Sequence, residues 1–598
     1  MRFGVFLRGV IFGAAGLLGA AGAGAYSVDF RVTGGDDDLA DALRGAALVA
    51  GLDTDAGVDP AEVLAAARGD YARLLAALYD AGHYGGQIHL RLDGREAATI
   101  GPLDAPARIG RVEVSVTPGP RFSFAQAKAA PLPPGADLPE GYRPGAVARS
   151  GVIASAARDG VTAWRAAGHA KARLSDQRLI ADHRSATLAA SLAFQPGPRV
   201  RFGQLRLAET GRTRPARLAK IAGFPQGEVF APAELDRVRA RLLRTGVFAS
   251  VALTEAERLG PDDSLDVTLG VVDQKPRRLG FGAEVSSLDG VSLSGYWLHR
   301  NLWRGAERLR VEAEIEGIGA QTGGTDYTLG LRLERPATPG PDTSAYLETR
   351  LERLDEEDYT ETTGAIELGF SHWFSEKLTA EAGLGYAVSR VEDALGTTHY
   401  RRLELPMAIT WENRDTPIDP RNGIYATAAA RPFLGFGTTG TGAQIKADLR
   451  GYRTLGRVTM AGRVQLGSVT GSGLLETPRD YLFYSGGGGT VRGQPYQSLG
   501  VSVTQGGTTL DLGGRGFVGV SLEARTRVTD KIGVVAFYDA AGVGTNSLPG
   551  DGASWHSGAG LGLRYDTGIG PIRLDVAGPV SGGTGTGAQV YIGIGQAF

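Results

Sequence analysis

Leu309-Arg310-Val311-Glu312-Ala313-Glu314-Ile315-Glu316 alternates apolar and charged side chains for eight residues without a slip. A period of two puts one set on each face of a strand, so this segment makes a sheet with one apolar and one charged face. The same alternation returns in Leu329, Leu331 and Leu333 against Gly330, Arg332 and Glu334, and again through Leu378, Ala380, Ala382, Leu384, Tyr386 and Val388. Beyond Pro276 the helical period is absent for some 322 residues (598 − 276). A soluble sandwich also alternates. What favours a membrane barrel is the persistence of the pattern, the character of the N-terminus, and the strand Val590-x-Ile592-x-Ile594-x-Gln596-x-Phe598. In such a barrel the apolar set faces lipid and the glutamates face a wet lumen. At roughly 20 residues per strand with its turn, residues 277–598 predict an antiparallel barrel of about 16 strands, with 14 or 18 also compatible.

The N-terminus reads as a signal peptide over residues 1–25. Arg2 and Arg8 supply its positive end, Val10 to Leu18 its short apolar core, and Ala23-Gly24-Ala25 the small-x-small pattern before cleavage after Ala25. Every later apolar run breaks after a few residues, which excludes a bundle of spanning helices. The net charge of −2 gives no footprint for nucleic acid, and the chain has no cysteine.

Between these regions the punctuation repeats. Pro120-Arg121, Pro198-Arg199 and Pro276-Arg277 are spaced 78 residues apart, each after a strand-like segment: Val112 to Val116, Leu188 to Phe194 and Leu265 to Leu269. Proline lacks the N–H that would continue a ladder. A helix pattern closed by glycine also recurs, at Leu74 to Gly82, Val161 to Gly168 and Val238 to Gly246. The expected organisation is three α+β modules, residues 26–118, 119–197 and 198–276. Each reads as strand, two helices, two strands. The Pro/Gly-rich stretch Pro131 to Pro144 is the expected insertion that offsets the first repeat.

Signal, repeats and barrel together resemble the family of barrel-assembly and two-partner secretion proteins, and the repeats resemble POTRA domains. The most specific local match is Val491-Arg492-Gly493, after the glycine run Gly486 to Gly489, which resembles the family's Val-Arg-Gly-aromatic signature on the sixth extracellular loop. The fourth position here is Gln494, and the nearest aromatic is Tyr496. Gly533-x-x-x-Phe537-x-Asp539 resembles the inward-facing motif that receives the loop arginine, and Glu523-x-Arg525 its acidic neighbour. The stretch from Asp566 to Asp575 resembles the penultimate strand, and Asp415-x-x-x-Asp419-Pro420-x-x-Gly423 a turn between strands. Physical chemistry favours the Arg492–Asp539 pairing independently: a bidentate ion pair in a partly desolvated lumen offsets the cost of confining a glycine-rich loop.

Three POTRA-like units resemble the TamA-type assembly factors. That resemblance implies insertion of outer-membrane or autotransporter clients, a TamB-like partner anchored in the inner membrane, and outer-membrane lipid as the surroundings. It implies no cofactor and no catalytic residue. The mechanism expected is lateral opening between a first strand near Leu279 to Ser286 and a last strand near Ala588 to Phe598. Gly280, Gly282, Gly593 and Gly595 would weaken that seam by removing side-chain pairs, although barrels also place glycine where strands curve. Tyr591 and Phe598 are the expected C-terminal signal for the chain's own insertion. A secretion pore passing polypeptide through the lumen competes with this reading, but such pores typically carry two repeats and a plug helix, and no plug candidate precedes Asp29. The eight histidines are scattered without a metal-ligand spacing, so an enzyme is not expected.

Overall fold

The computed structural model describes residues 26–52, 58–287, 290–320, 323–550, 552–567, 570–594, 596 and 598. The signal-peptide reading and Gly595 lie outside these residues. Two compact units emerge: one runs up to Gly203 with Gly227–Ala233 and Arg258–Leu265, the other comprises Gln204–Gln226, Glu234–Glu257 and Asp266–Phe598.

In the first unit, strands Ser27–Val32, Gln87–Leu92, Arg95–Glu96 and Arg111–Thr117 form one sheet in which the first and last are parallel neighbours. Helices Asp37–Ala46 and Pro60–Ala81 bury Leu39, Leu43, Leu64, Leu74 and Leu78 against it. The second helix starts with Asp59 as N-cap and Pro60 in the first turn, and ends at Gly82 with φ +90, which is how a helix of this length is stopped cleanly. The next sheet orders Ser123–Ala130, Thr187–Gln195 and Arg173–Asp182. It carries a single helix, Ser150–Ala166, where the repeat predicts two. Pro131, Pro133, Pro134, Pro139 and Pro144 explain the difference, because each removes a backbone donor that a helix would need. The Pro131 to Pro144 stretch is thus no insertion between modules. It takes the place of a helix, and Tyr142 closes the core there.

Strands Arg201–Glu209, Phe248–Glu255 and Ser264–Asp273, with helices Pro215–Ala222 and Pro232–Arg244, complete the third strand, two helices, two strands arrangement. Its helices bury Leu218, Ile221, Val238 and Leu242, and two barrel-turn residues, Ala306 and Ala337, lie in the same core.

The barrel is closed and antiparallel with 16 strands. Gly396–Glu404 and Met407–Glu412 are two halves of the eighth, since both pair with Leu378–Asp393 on one side and Gly423–Gly437 on the other. The break falls at Pro406, which has no N–H to give. Polarity is inverted relative to a soluble protein: Leu368 is 61% exposed on the outer face while Asp539 is 1% exposed inside. That inversion is what a hydrocarbon exterior requires. Among the described residues no helix is long and apolar enough to cross a membrane.

Candidate functional site

The eleventh strand, Val458–Thr470, and the twelfth, Gly516–Arg527, are joined by a loop of 45 residues (515 − 470). Part of the loop pairs with itself, Val501–Gln505 against Thr508–Leu512, and part folds back into the lumen. Arg492 at its tip is 2% exposed. Its Nε donates to Asp539 Oδ2 at 2.7 Å and its Nη2 to Asp539 Oδ1 at 3.1 Å, the bidentate geometry that suits a guanidinium. The Arg492 backbone N–H donates to the same carboxylate at 3.2 Å. Nη1 lies 2.7 Å from Glu523 Oε1 and donates to Asp575 Oδ2 at 3.3 Å. The guanidinium carbon sits 3.6 Å from the centre of the Phe537 ring, so an aromatic face covers the cation while carboxylates hold its edge.

The strands position these groups by their period. Glu523 and Arg525 point inward from the twelfth strand, Phe537 and Asp539 from the thirteenth (Ile532–Gly544), and Arg573 and Asp575 from the fifteenth (Gly570–Ser581). Sequence reading paired Arg492 with Asp539 and Glu523. It missed the role of Asp575, although the residue stood inside a quoted motif, and that of Phe537 two places before Asp539. Val491 is buried with Phe517 and Val543 beneath the tip. Gly493 is required twice over: its φ is +91, and a Cβ there would meet the Gly578 carbonyl oxygen at 2.6 Å. Gln494 is fully buried and takes the place of the family's aromatic by hydrogen bonding. Its Nε2 donates to the carbonyls of Ser557 and Ser581 at 2.8 and 3.0 Å, and its Oε1 accepts from Thr584. Tyr496 is 39% exposed and does not stand in for that ring.

The closing seam is short. Among the described residues the first strand, Arg277–Ser286, pairs with the second, Gly290–Arg300, over ten residue pairs, and with the last strand, Gln589–Ile594, at Val285↔Ile592 and Ser286↔Tyr591. Backbone bonding adds Ser287 N–H to the Val590 carbonyl at 3.1 Å. Gly280 and Gly282 each make room for a second-strand side chain: added Cβ atoms would meet the Tyr296 ring at 2.2 Å and Ser294 Oγ at 2.5 Å. Gly593 faces Arg573, whose Nε is 3.1 Å from the position of an added Cβ.

The expected C-terminal signal is also relocated. Tyr591 is buried in the lumen, and its hydroxyl accepts from the Gly493 N–H at 3.1 Å and donates to Gln589 at 2.5 Å. Phe598 does not extend the strand on the lipid face. It packs against Tyr452 and Ala461 inside, and its main-chain oxygen accepts from Arg525 Nη2 at 3.1 Å. The strand's alternation runs on in sequence to 598, but inward partners hold Gln596 and Phe598.

The third α+β module meets the barrel turns within its own compact unit. Arg241 donates to Asp342 through Nε and Nη2 at 3.0 and 2.7 Å, Arg244 adds a third bond at 2.9 Å, and Arg244 lies over the Trp373 ring. Thr213 accepts from Asn301 at 3.0 Å, and Arg214 N–H donates to the Arg304 carbonyl at 2.8 Å. Among the described residues no three His, Asp or Glu side chains gather where they could hold a metal ion.

Residues 305–598 match the Omp85 superfamily domain. In fold the chain is similar to BamA from Haemophilus ducreyi lacking POTRA domains 1–3, at 17% identity and a TM-score of 0.63, over 79% of this chain and all of that one. CdiB from Acinetobacter baumannii is similar at 14% identity and a TM-score of 0.51, over 80% of this chain and 90% of that one.

Proposed function

We propose, from a barrel that belongs to the Omp85 superfamily and so works in protein insertion or secretion at the bacterial outer membrane with its N-terminal modules in the periplasm, that this chain inserts outer-membrane and autotransporter clients by lateral opening. The observation that carries the proposal is the seam: among the described residues two residue pairs join the first and last strands where ten join the first and second. Pairs that exchange two backbone bonds alternate with pairs that exchange none, so a short seam holds few bonds, opens at low cost and leaves free N–H and C=O groups to which a client strand can add. Among the described residues the last strand has six residues against sixteen in the seventh, so few backbone bonds hold it. In this reading the N-terminal modules act as POTRA domains for periplasmic clients and a TamB-like partner.

The test locks the seam. Val285 and Ile592 are directly opposed, and opposed residues in an antiparallel pair are within disulfide reach. In a chain with no native cysteine, Val285→Cys with Ile592→Cys creates the only thiols. Oxidised protein in vesicles should fail to insert an unfolded barrel client and recover on reduction. Full activity from completely cross-linked protein would reject lateral opening and favour passage through the lumen.

A further inference from the structure

Two chains of buried charge join the loop tip to Gln596 and Phe598, beyond the last strand. In one, Glu523 Oε1 forms an ion pair with Arg492 Nη1 at 2.7 Å and Oε2 accepts from Arg525 Nε at 2.8 Å, and Arg525 holds the Phe598 main-chain oxygen while its guanidinium carbon lies 5.4 Å from the ring centre. In the other, Asp575 accepts from Arg492 at 3.3 Å and from Arg564 at 2.5 Å, while Arg564 Nε donates to Gln596 Oε1 at 2.9 Å. Gln596 then donates to Asp419 Oδ1 at 2.9 Å, in the turn between the eighth and ninth strands. A third link is direct: the Gly493 N–H on the Tyr591 hydroxyl, on the residue that pairs with Ser286 across the seam.

We infer that Arg525 and Arg564 are positioning residues that couple the seat of the sixth loop to the inward capture of Gln596 and Phe598. Counting charge gives the reason. Three arginines, Arg492, Arg525 and Arg564, face three carboxylates, Glu523, Asp539 and Asp575, and all six side chains are buried. With the loop arginine seated, Arg525 and Arg564 have donors to spare for Phe598 and Gln596. When it leaves, the three carboxylates have only two cations. Burial makes an unmatched carboxylate costly, so Arg525 and Arg564, which already meet Glu523 and Asp575 with two nitrogens each, are drawn towards the uncovered Asp539 and give up the tail. The loop thereby decides whether the end of the last strand is tied inside the barrel or free to move with the seam. That last consequence rests on the lateral-opening reading; the coupling does not.

A reporter thiol separates the two. Ala461 lies beneath Phe598 and Tyr452, so Ala461→Cys in the full chain reads cover by the tail through its rate of maleimide labelling. Ala387→Cys, buried elsewhere in the barrel, reads general loosening. Phe598→Ala should raise labelling at 461 and fixes the scale. The coupling predicts that Arg492→Gln, which removes the loop cation, raises it on the order of tenfold, the effect of losing one charged hydrogen bond, with the rate at 387 unchanged, and that adding Asp539→Asn, which leaves two cations to two carboxylates, brings it back towards the native rate. Arg525→Ala and Arg564→Ala should match Phe598→Ala, and adding Arg492→Gln to Arg525→Ala should change little. Labelling at 461 that stays at the native rate in Arg492→Gln, while Phe598→Ala raises it, overturns the coupling. So does an equal rise at 461 and 387, which would mean that the variants merely loosen the barrel. Neither result touches the cross-linking test of the seam.

Discussion

At the residue scale the loop arginine is the most consequential side chain in the barrel, because it neutralises carboxylates from three strands in a space that water does not reach. Replacing Arg492 with alanine leaves those charges buried, and breaking a buried ion pair from one side costs about 3–5 kcal/mol. Arg492→Ala and Asp539→Ala should each lower the temperature at which the folded barrel converts to the unfolded form on semi-native gels. The double variant should be little worse than the worse single, since coupled partners do not add; strictly additive losses would show that the pair is not coupled. Asp342 gives a second prediction, in a turn outside the membrane. Hydrogen bonds from Arg241 and then Arg244, acting against burial, hold its carboxyl down at about 2. A depressed folded value stabilises above the unfolded value near 3.9, and that contribution is lost as pH falls from about 4 towards about 2. Hydrogen exchange in helix Pro232–Arg244 should therefore stay slow from pH 7 to 4 and accelerate below it. Asp342→Asn should remove that pH dependence, and a native profile in this variant would assign the effect to another group.

At the element scale, what could be read in advance was what depends on period. Alternation between 309 and 316 needs only the geometry of one strand, and the 78-residue spacing of Pro120, Pro198 and Pro276 needs only the punctuation between modules. The missing helix of the second module was legible too, in its five prolines, but was read as an insertion. The end of the last strand was not legible. Residues 590 to 598 keep their alternation, but Phe598 is held by Arg525, 73 positions away along the chain, and Gln596 by Asp419, 177 positions away. The same distance dependence hid Asp575 and Phe537, whose roles appear only when the twelfth to fifteenth strands lie side by side. The glycines of the first strand have a role that the sequence could not show: Gly280 makes room for Tyr296 and Gly282 for Ser294 across the hairpin. This gives a prediction for the element. Gly280→Ala places a methyl group into the Tyr296 ring, so it should destabilise the first hairpin and slow barrel formation, whereas Gly280→Ala with Tyr296→Ala should recover most of the loss. Equal defects in both variants would return Gly280 to a role at the seam.

At the scale of the whole molecule, the sequence divides into three modules and a barrel, while the compact units place the helices of the third module with the barrel. We propose 26–118, 119–197, 198–276 and 277–598 as the module boundaries in the chain, with the third module completed by residues beyond its own boundary. Its hydrophobic core contains Ala306 and Ala337 from two barrel turns, and its helices are tied to a third point by Arg241, Arg244 and Asp342. By contrast, the first module closes its core with Leu43, Leu64, Leu74, Leu90 and Val114, and the second with Phe122, Phe124, Ile153 and Leu192, all from their own segments. A fragment of residues 26–276 should therefore be soluble and folded, because each sheet still has a helix to cover it, but not uniformly stable. Amides of Pro60–Ala81 and Ser150–Ala166 should exchange at the same rates in the fragment and in the full chain. Those of Pro215–Ala222 and Pro232–Arg244 should exchange faster in the fragment, since part of their apolar face and three charged hydrogen bonds are lost with the barrel. Restoring the rates by adding the barrel back in trans is not expected, because the turns and the module are joined through Pro276 and meet as one chain. Equal protection of all four helices in fragment and full chain would show that the third module is a free-standing domain, and that its contacts with the barrel turns add nothing to its stability.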